Sequence, residues 1–346
     1  MEPEDGQLTN SSEVLHGILE NLDYYTSIWW VMSVYSMVIY GVTCVLGVLG
    51  NGLVIWAIGF KLKRTANTVW LLSLAVADFT FTLLLPLGIA YIALDLEWHF
   101  GWLLCMLYFG VEVICLDASV LTLAAISVDR CVSVVLPIWS QKHRGPRPAA
   151  LLSLGVWVAA TIGSTPAFVF QQFESQGNWS QCSSEYLLEG EWIAVFEAVY
   201  KSNNSLAVIE RAMSLIYIRD RALTFTRFLL GFIIPVLIIA VSYTIIGLRL
   251  RWGRLVPSGG KPFRVMAAII LAFLLCWAPY NICSILRLHT HEEPWPLLLI
   301  VGIPLGYSLA FFNSCINPVL YIFMWQDFRD IFKKSLQRAN NRGAYI

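Results

Sequence analysis

The chain has 346 residues and is 58% hydrophobic, 14% aromatic and 13% charged, with Lys+Arg and Asp+Glu balanced at 23 each; ordinary soluble chains carry about a quarter charged residues. So little charge cannot coat a water-soluble surface of this size, and the balance excludes a basic nucleic-acid-binding protein as the composition excludes collagen-like and disordered chains. Eight cysteines are too few for a scaffold built from disulfides.

A bilayer core about 30 Å thick takes about 20 helical residues to cross. Residues 1–27 are acidic and lack the charged-then-apolar start of a signal peptide, so the first apolar run itself directs insertion. Seven such runs follow, at residues 28–59, 66–93, 102–135, 149–170, 223–250, 263–286 and 297–325. Internal breakers such as Gly47, Gly50, Pro86, Pro235, Pro279, Pro304 and Pro318 are tolerated in bilayer helices when neighbours satisfy the freed carbonyls. The long segment 171–222 between spans four and five carries Glu174, Glu185, Glu189, Glu191, Glu197 and Glu210. In segment 326–346, Phe328, Ile331, Phe332 and Leu336 recur at helical spacing against Arg329, Lys333 and Lys334, which predicts a short amphipathic helix on the membrane surface. The fold expected is an all-α membrane protein: a seven-helix transmembrane bundle over residues 28–325, with an acidic N-terminus and an amphipathic tail helix.

Orientation follows from the cations. No Lys or Arg precedes Lys61, and the loops after spans one, three and five and the tail hold most of the basic residues. The N-terminus is therefore expected outside and the C-terminus inside, with the chain multi-pass in the plasma membrane. Three glycosylation acceptor patterns, at Asn10, Asn178 and Asn203, all fall on the side assigned outside. Cys105 at the outer end of span three and Cys182 in the long loop both face oxidising space, and a bridge between them pins that loop across the bundle. The other six cysteines lie in spans, as small apolar residues.

An ionisable residue inside a membrane is costly and marks function by default. Asp78 lies midway along span two. With Ser119, Asn313, Ser314 and Asn51 it forms either a hydrated pocket for a monovalent cation such as sodium, the one cofactor the residues suggest, or a hydrogen-bond network without an ion. Glu112 and Asp117 on span three diverge by about 140° and do not share one site. A cavity lined by Glu112, Arg227 and Arg287 presents both signs of charge to a polar ligand; Glu112 paired with an arginine satisfies the same desolvation cost.

Three local motifs add to this: Asp129-Arg130-Cys131 closing span three, Cys276-Trp277-Ala278-Pro279 in span six, and Asn317-Pro318-Val319-Leu320-Tyr321 ending span seven. With Gly50-Asn51, Leu74-Ala75-Val76-Ala77-Asp78, Trp157 and Pro235, the chain resembles a class A, rhodopsin-like G-protein-coupled receptor over about residues 35 to 335. Longer stretches, among them Trp98-His99-Phe100-Gly101, Pro137-Ile138-Trp139-Ser140-Gln141-Lys142-His143-Arg144 and Ala310-Phe311-Phe312-Asn313-Ser314-Cys315, look like the chemoattractant cluster of formyl-peptide, chemerin, anaphylatoxin and prostaglandin D receptors. The resemblance implies that Arg130 is held by Asp129 at rest and released to meet an inhibitory G protein, with Tyr243 and Tyr321 bracing the open form. It makes Trp277 the reporter of ligand at the cavity floor, Pro279 the bend of span six, and Asp23-Tyr24-Tyr25 a sulfation site at Tyr24 and Tyr25.

Two departures set the chain apart from formyl-peptide receptors: Val113 stands where they carry an acid and Leu223 where they carry an arginine. Outside, 17 acids face six bases, an anionic mouth that attracts basic ligands over about a Debye length, some 8 Å. The expected ligand is an extracellular peptide or small protein; a lipid acid, or a scavenging role without signalling, stays open. An ion-coupled transporter would also place acids in its bundle, but such proteins show repeated halves and no repeat is seen. No phosphate loop, zinc spacing or nucleophile elbow occurs, so no enzyme is expected. In the tail only Ser335 and Tyr345 carry hydroxyls, which argues against arrestin recruitment through tail phosphates.

Overall fold

The computed structural model describes residues 5–177, 179–184, 186–187, 189–201, 205–252, 260–288 and 297–324. In chain order these form α1 (Asp5–Phe60), α2 (Ala66–Ala93), α3 (Gly101–Val135), a short α4 (Pro137–His143), α5 (Pro146–Gly163) and its continuation α6 (Thr165–Val169). An antiparallel hairpin follows, β1 (Gln171–Gln176) with β2 (Trp179–Ser184), and then α7 (Glu189–Lys201), α8 (Ser205–Phe228), α9 (Ile234–Trp252), α10 (Gly260–Arg287) and α11 (Ile303–Met324). The acceptors Asn178 and Asn203 and the expected tail helix lie outside the described residues, as do the side chains of Asn10 and Tyr321.

The expected spans coincide with α2, α3, α5–α6, α8–α9, α10 and α11, with differences at the ends. The first helix begins at Asp5 rather than near Ile28, because no proline occurs between Pro3 and Pro86 and nothing else interrupts it. Thr65 caps α2 through a reciprocal box with Thr68, satisfying two otherwise orphaned amides. Pro235 and Pro304 each follow a π-helical turn, Leu229–Ile233 and Leu298–Gly302. There the extra residue re-routes carbonyls that a proline cannot serve.

The segment expected only as a loop is a second correction. It folds as the β-hairpin followed by a helical pair, α7 against α8, so the fifth span's helix starts well before residue 223. Trp192, Val195, Phe196 and Val199 recur at the helical i, i+3, i+4, i+7 spacing and face Ile209, Ala212, Met213 and Ile216 across a cavity of about 330 Å³. Arg219 ties the pair at its base, donating to both Glu191 carboxylate oxygens at 2.5 and 2.8 Å.

α3 runs through the middle, packed on α2, α5 and α9, while α1 lies against α2 and α11, and α10 against α11. The core is correspondingly central: Val54, Leu74, Ala75, Val120, Leu123, Phe273 and Trp277 form one cluster, and Tyr40, Phe81, Leu85, Cys115 and Phe311 another above it. The outside is equally apolar. Leu83, Leu151, Leu237 and Leu275 are all exposed, the pattern of helices solvated by lipid rather than water. Five helices among the described residues are long and apolar enough to cross a membrane, and the chain is a multi-pass membrane protein.

Without a hydrophobic drive between helices, close approach depends on small residues. At Gly306 an added Cβ would lie 2.6 Å from the Tyr280 Cα, a backbone atom that cannot turn aside. Gly306→Val is therefore expected to push α11 off α10 at a cost of about 1–3 kcal/mol or more, read as a lowered thermal midpoint of the purified protein.

Candidate functional site

The end of the bundle that carries the α2–α3 turn and the hairpin is closed by an aromatic knot. Trp98 is fully buried, its amide donates to the Ser180 carbonyl at 2.8 Å, and Ser180 Oγ donates back to the Trp98 carbonyl at 2.6 Å. Tyr91, Phe100, Tyr108 and Phe109 surround its ring, and Asp95 and Leu96 take left-handed backbone conformations to turn the chain into it. Beside the knot Cys105 is bonded to Cys182, opposite Phe173 in the hairpin register. Closing a loop of 77 residues removes denatured-state entropy worth about 4–5 kcal/mol. Cys105→Ala is expected to lose most surface delivery or ligand binding, checked by flow cytometry on a tagged chain; undiminished delivery and binding would remove the bridge from the site's construction.

Below this lid lie the charged residues singled out in the sequence. Glu112 is buried on α3 and hydrogen-bonded to Tyr108, within the field of Arg227. Asp117, further along the same helix, accepts from Ser164 Oγ at 3.0 Å; the two acids do face different neighbours, as their spacing predicts. Arg227 feels Asp117, Tyr186, Tyr280 and Tyr307 and Glu112 feels it in turn; the residue is exposed. Tyr280 and Tyr307 stand 4.6 Å apart and wall it on the α10–α11 side.

Arg287 is differently placed. It donates to Asp220 Oδ1 at 2.7 Å and reaches Thr224 Oγ1 at 3.4 Å, so its charge is compensated across α8 and α10. Tyr186, in the segment between the hairpin and α7, also bonds to Asp220, and burial together with that carboxylate pushes its phenol up to about 12, keeping it a neutral donor. Asp220 and Tyr186 were not singled out by sequence reasoning. Asp220 lies seven residues before Arg227, two turns away on one face, which was the available signal.

The vestibule floor is Trp277, packed on Phe273 and Tyr280, with its carbonyl taken by Asn281 Nδ2 at 2.9 Å, one turn along the same proline-containing helix. One level down, Asp78 Oδ1 accepts from Ser119 Oγ at 2.5 Å and Oδ2 from Asn317 Nδ2 at 2.8 Å, with Ser314 also bonded. Asn51 Nδ2 bridges the carbonyls of Gly47 and Ser314 at 3.0 Å each. Asn313 is buried, but the amide on Asp78 is that of Asn317, which stands one turn after Ser314 on the same face.

At the opposite end of the bundle, Asp129 is engaged by Arg144. Arg144 Nε lies 2.9 and 3.0 Å from the two carboxylate oxygens and its Nη2 lies 2.6 Å from Oδ2. The same Nη2 donates to Asn67 Oδ1 of α2. Arg130 thus has beside it an Asp129 already taken by another cation, a departure from the resting pair that the motif implies. Its electrostatic neighbours are Arg144, Asp129 and Tyr243, and the Tyr243 hydroxyl reaches across to Ser127 of α3.

The sequence of the 7 transmembrane receptor (rhodopsin family) matches residues 50–321, from the Gly50-Asn51 pair to Tyr321. Chemerin-like receptor 1 of Sus scrofa is 40% identical over 306 residues, covering 88% of this chain and 81% of that one. Formyl peptide receptor 2 of Mus musculus is 37% identical over 325 residues, covering 92% and 88%, and N-formyl peptide receptor 3 of Pongo pygmaeus is 34% identical over 317 residues, covering 90% and 86%. None of these relatives is an enzyme by name, and all are receptors. The chain belongs to the rhodopsin family of seven-transmembrane receptors.

Proposed function

We propose that this receptor sits in the plasma membrane with its N-terminus outside and its C-terminus inside, takes a chemotactic peptide or small protein into the vestibule around Arg227, and activates an inhibitory G protein through Arg130. The observation that carries the reading is the placement of Arg227: an exposed residue whose charge is felt by Glu112 and meets Asp117, Tyr280 and Tyr307. Such a site takes the carboxylate end of a peptide on Arg227 while the acids meet its amino groups. Likeness to chemerin-like and formyl peptide receptors supports a peptide ligand, and the surplus of outward acids supports a basic one. The same arginine against apolar and aromatic walls also suits a lipid acid, the second reading.

The domain division proposed is an outer segment 1–27 with sulfation at Tyr24 and Tyr25 and glycans at Asn10, Asn178 and Asn203, the receptor body 28–325, and a cytoplasmic segment 326–346. We infer a sodium site at Asp78, Ser119 and Ser314, with Asn313 as a further candidate: a buried carboxylate and two hydroxyls bonded to it are oxygen donors of the kind a hard cation takes. Asp78, Ser119 and Ser314 would hold such an ion, which would supply charge compensation for the buried carboxylate that Ser119 and Asn317 now serve with hydrogen bonds.

The test is ligand-stimulated nucleotide exchange on purified inhibitory heterotrimer by the chain in nanodiscs, screened with chemerin C-terminal peptides, formyl peptides and lipid acids. Stimulation by a peptide supports the reading, stimulation by lipid acids alone replaces it with the second, and solute flux in vesicles without exchange would make the protein a transporter.

A further inference from the structure

The geometry points to a second ligand site, separate from the vestibule: the cleft between α7 and α8 takes the aliphatic chain of a single-chain amphiphile, of which a long-chain fatty acid is the simplest. This goes beyond the coupling reading above and stands whether or not that reading does.

The cleft encloses about 330 Å³, within the range of about 300–1,000 Å³ that small-molecule sites span. Such sites ordinarily carry a few polar groups that fix the ligand's orientation. Here the walls are aliphatic and aromatic, with Trp192, Val195 and Phe196 on α7 facing Ala212, Met213 and Ile216 on α8. Walls of this kind offer water few hydrogen-bonding partners and receive hydrocarbon instead. The flexible thioether of Met213 suits a guest of irregular shape.

Shape selects the occupant further. Trp192 to Val199 is two helical turns, so the cleft is about 10 Å long. One end of it is shut. Leu187 lines it there, fully buried, with its carbonyl accepting from Gln172 Nε2 at 2.7 Å, and Arg219 ties Glu191 to the Tyr186 carbonyl, which it reaches at 2.9 Å. A slot shut at one end takes the end of a chain. Two turns of a partner helix, about 10 Å long and about 10 Å wide, need roughly 800 Å³, more than twice the space. Toward the other end Tyr200 and Leu206 are 90% and 72% exposed, an apolar rim of the kind that marks a binding surface.

The bilayer is not the source of the chain. Arg219, Asp220 and Arg221 stand on α8 between the cleft and the exposed apolar residues Leu229, Leu230 and Leu237 further along the same span. Ile216 and Leu229 are about 20 Å apart along the helix. A phospholipid held in the membrane by its second chain has to cross that charged band, whereas a single-chain amphiphile arrives from water.

The test irradiates the full chain in nanodiscs with palmitate bearing a terminal diazirine and maps the adducts by peptide mass spectrometry. Adducts are expected on Trp192, Phe196 or Met213, and excess unlabelled palmitate is expected to remove them. Ala212 is buried against the cleft. Ala212→Trp fills it and is expected to lower these adducts at least about tenfold, while adducts on the exposed α9 leucines, labelled through the bilayer, stay constant. Should the indole part α7 from α8, seen as faster amide exchange in both, Val195→Leu decides: it withdraws room for one methylene and is expected to lower labelling about fourfold. Adducts that are absent from the parent, that excess palmitate leaves unchanged, or that persist at the parental level in the deciding variant overturn the inference. So does a phospholipid with the diazirine on one acyl chain that labels the cleft as strongly as the free acid.

Discussion

Arg130→Ala is expected to reduce stimulated nucleotide exchange to the level of the heterotrimer alone while ligand binding and surface density stay close to those of the parent. The physical ground is position. Arg130 lies within the last two turns of the central helix, half-buried, with its neighbouring carboxylate already taken by Arg144, so its truncation does not strip Asp129 of its bonded cation. Were Arg130 instead a fold-stabilising cation, its loss would unpair a shielded carboxylate and cost several kcal/mol, and surface density would fall with exchange. Radioligand or fluorescent-peptide binding beside an exchange assay separates the two. Exchange that persists at the parental rate removes Arg130 from the mechanism.

The second large effect is at the opposite end. Arg227→Glu is expected to weaken a carboxylate-ended peptide by more than about 2 kcal/mol, which is roughly thirtyfold in Kd. Glu112 and Asp117 then face a third acid rather than a cation, so a peptide amidated at its C-terminus should lose much less than the free acid. Equal losses for the two peptides would mean that Arg227 shapes the vestibule without reading the carboxylate. Arg287→Glu makes the contrasting control. Its guanidinium is bonded to Asp220, so reversing it sets two carboxylates against each other between α8 and α10 and should lower the thermal midpoint rather than discriminate between peptides.

The membrane spans were legible because burial in lipid demands uninterrupted apolar runs, and α2 and α3 fall within a residue of their expected bounds. The outer helical pair was equally written in the sequence, in the spacing of Trp192, Val195, Phe196 and Val199, but its glutamates read as loop composition and masked the period. The extent of α1 was missed for the opposite reason: hydropathy reports where lipid begins, not where a helix does. Partner choice was the least legible. Asp78 meets Asn317 across 239 positions, Arg287 meets Asp220 across 67 and Arg144 meets Asp129 across 15. Spacing along one helix cannot specify such pairs; only the packing of separate helices does. Motif likeness named Asp129 and Arg130 as a couple, and it carried no information on a competitor in the next loop.

The continuity of α1 from Asp5 to Phe60 bears on how the two adjoining tyrosines present themselves. Tyr24 and Tyr25 ride on a helical mast continuous with the first span, their rings 5.4 Å apart and set edge to face. In a continuous helix both rings hold one azimuth relative to the bundle, and an arriving partner meets them there. Adding a single residue to the mast below them swings both rings by about 100°, a change that a floppy leash would absorb unnoticed.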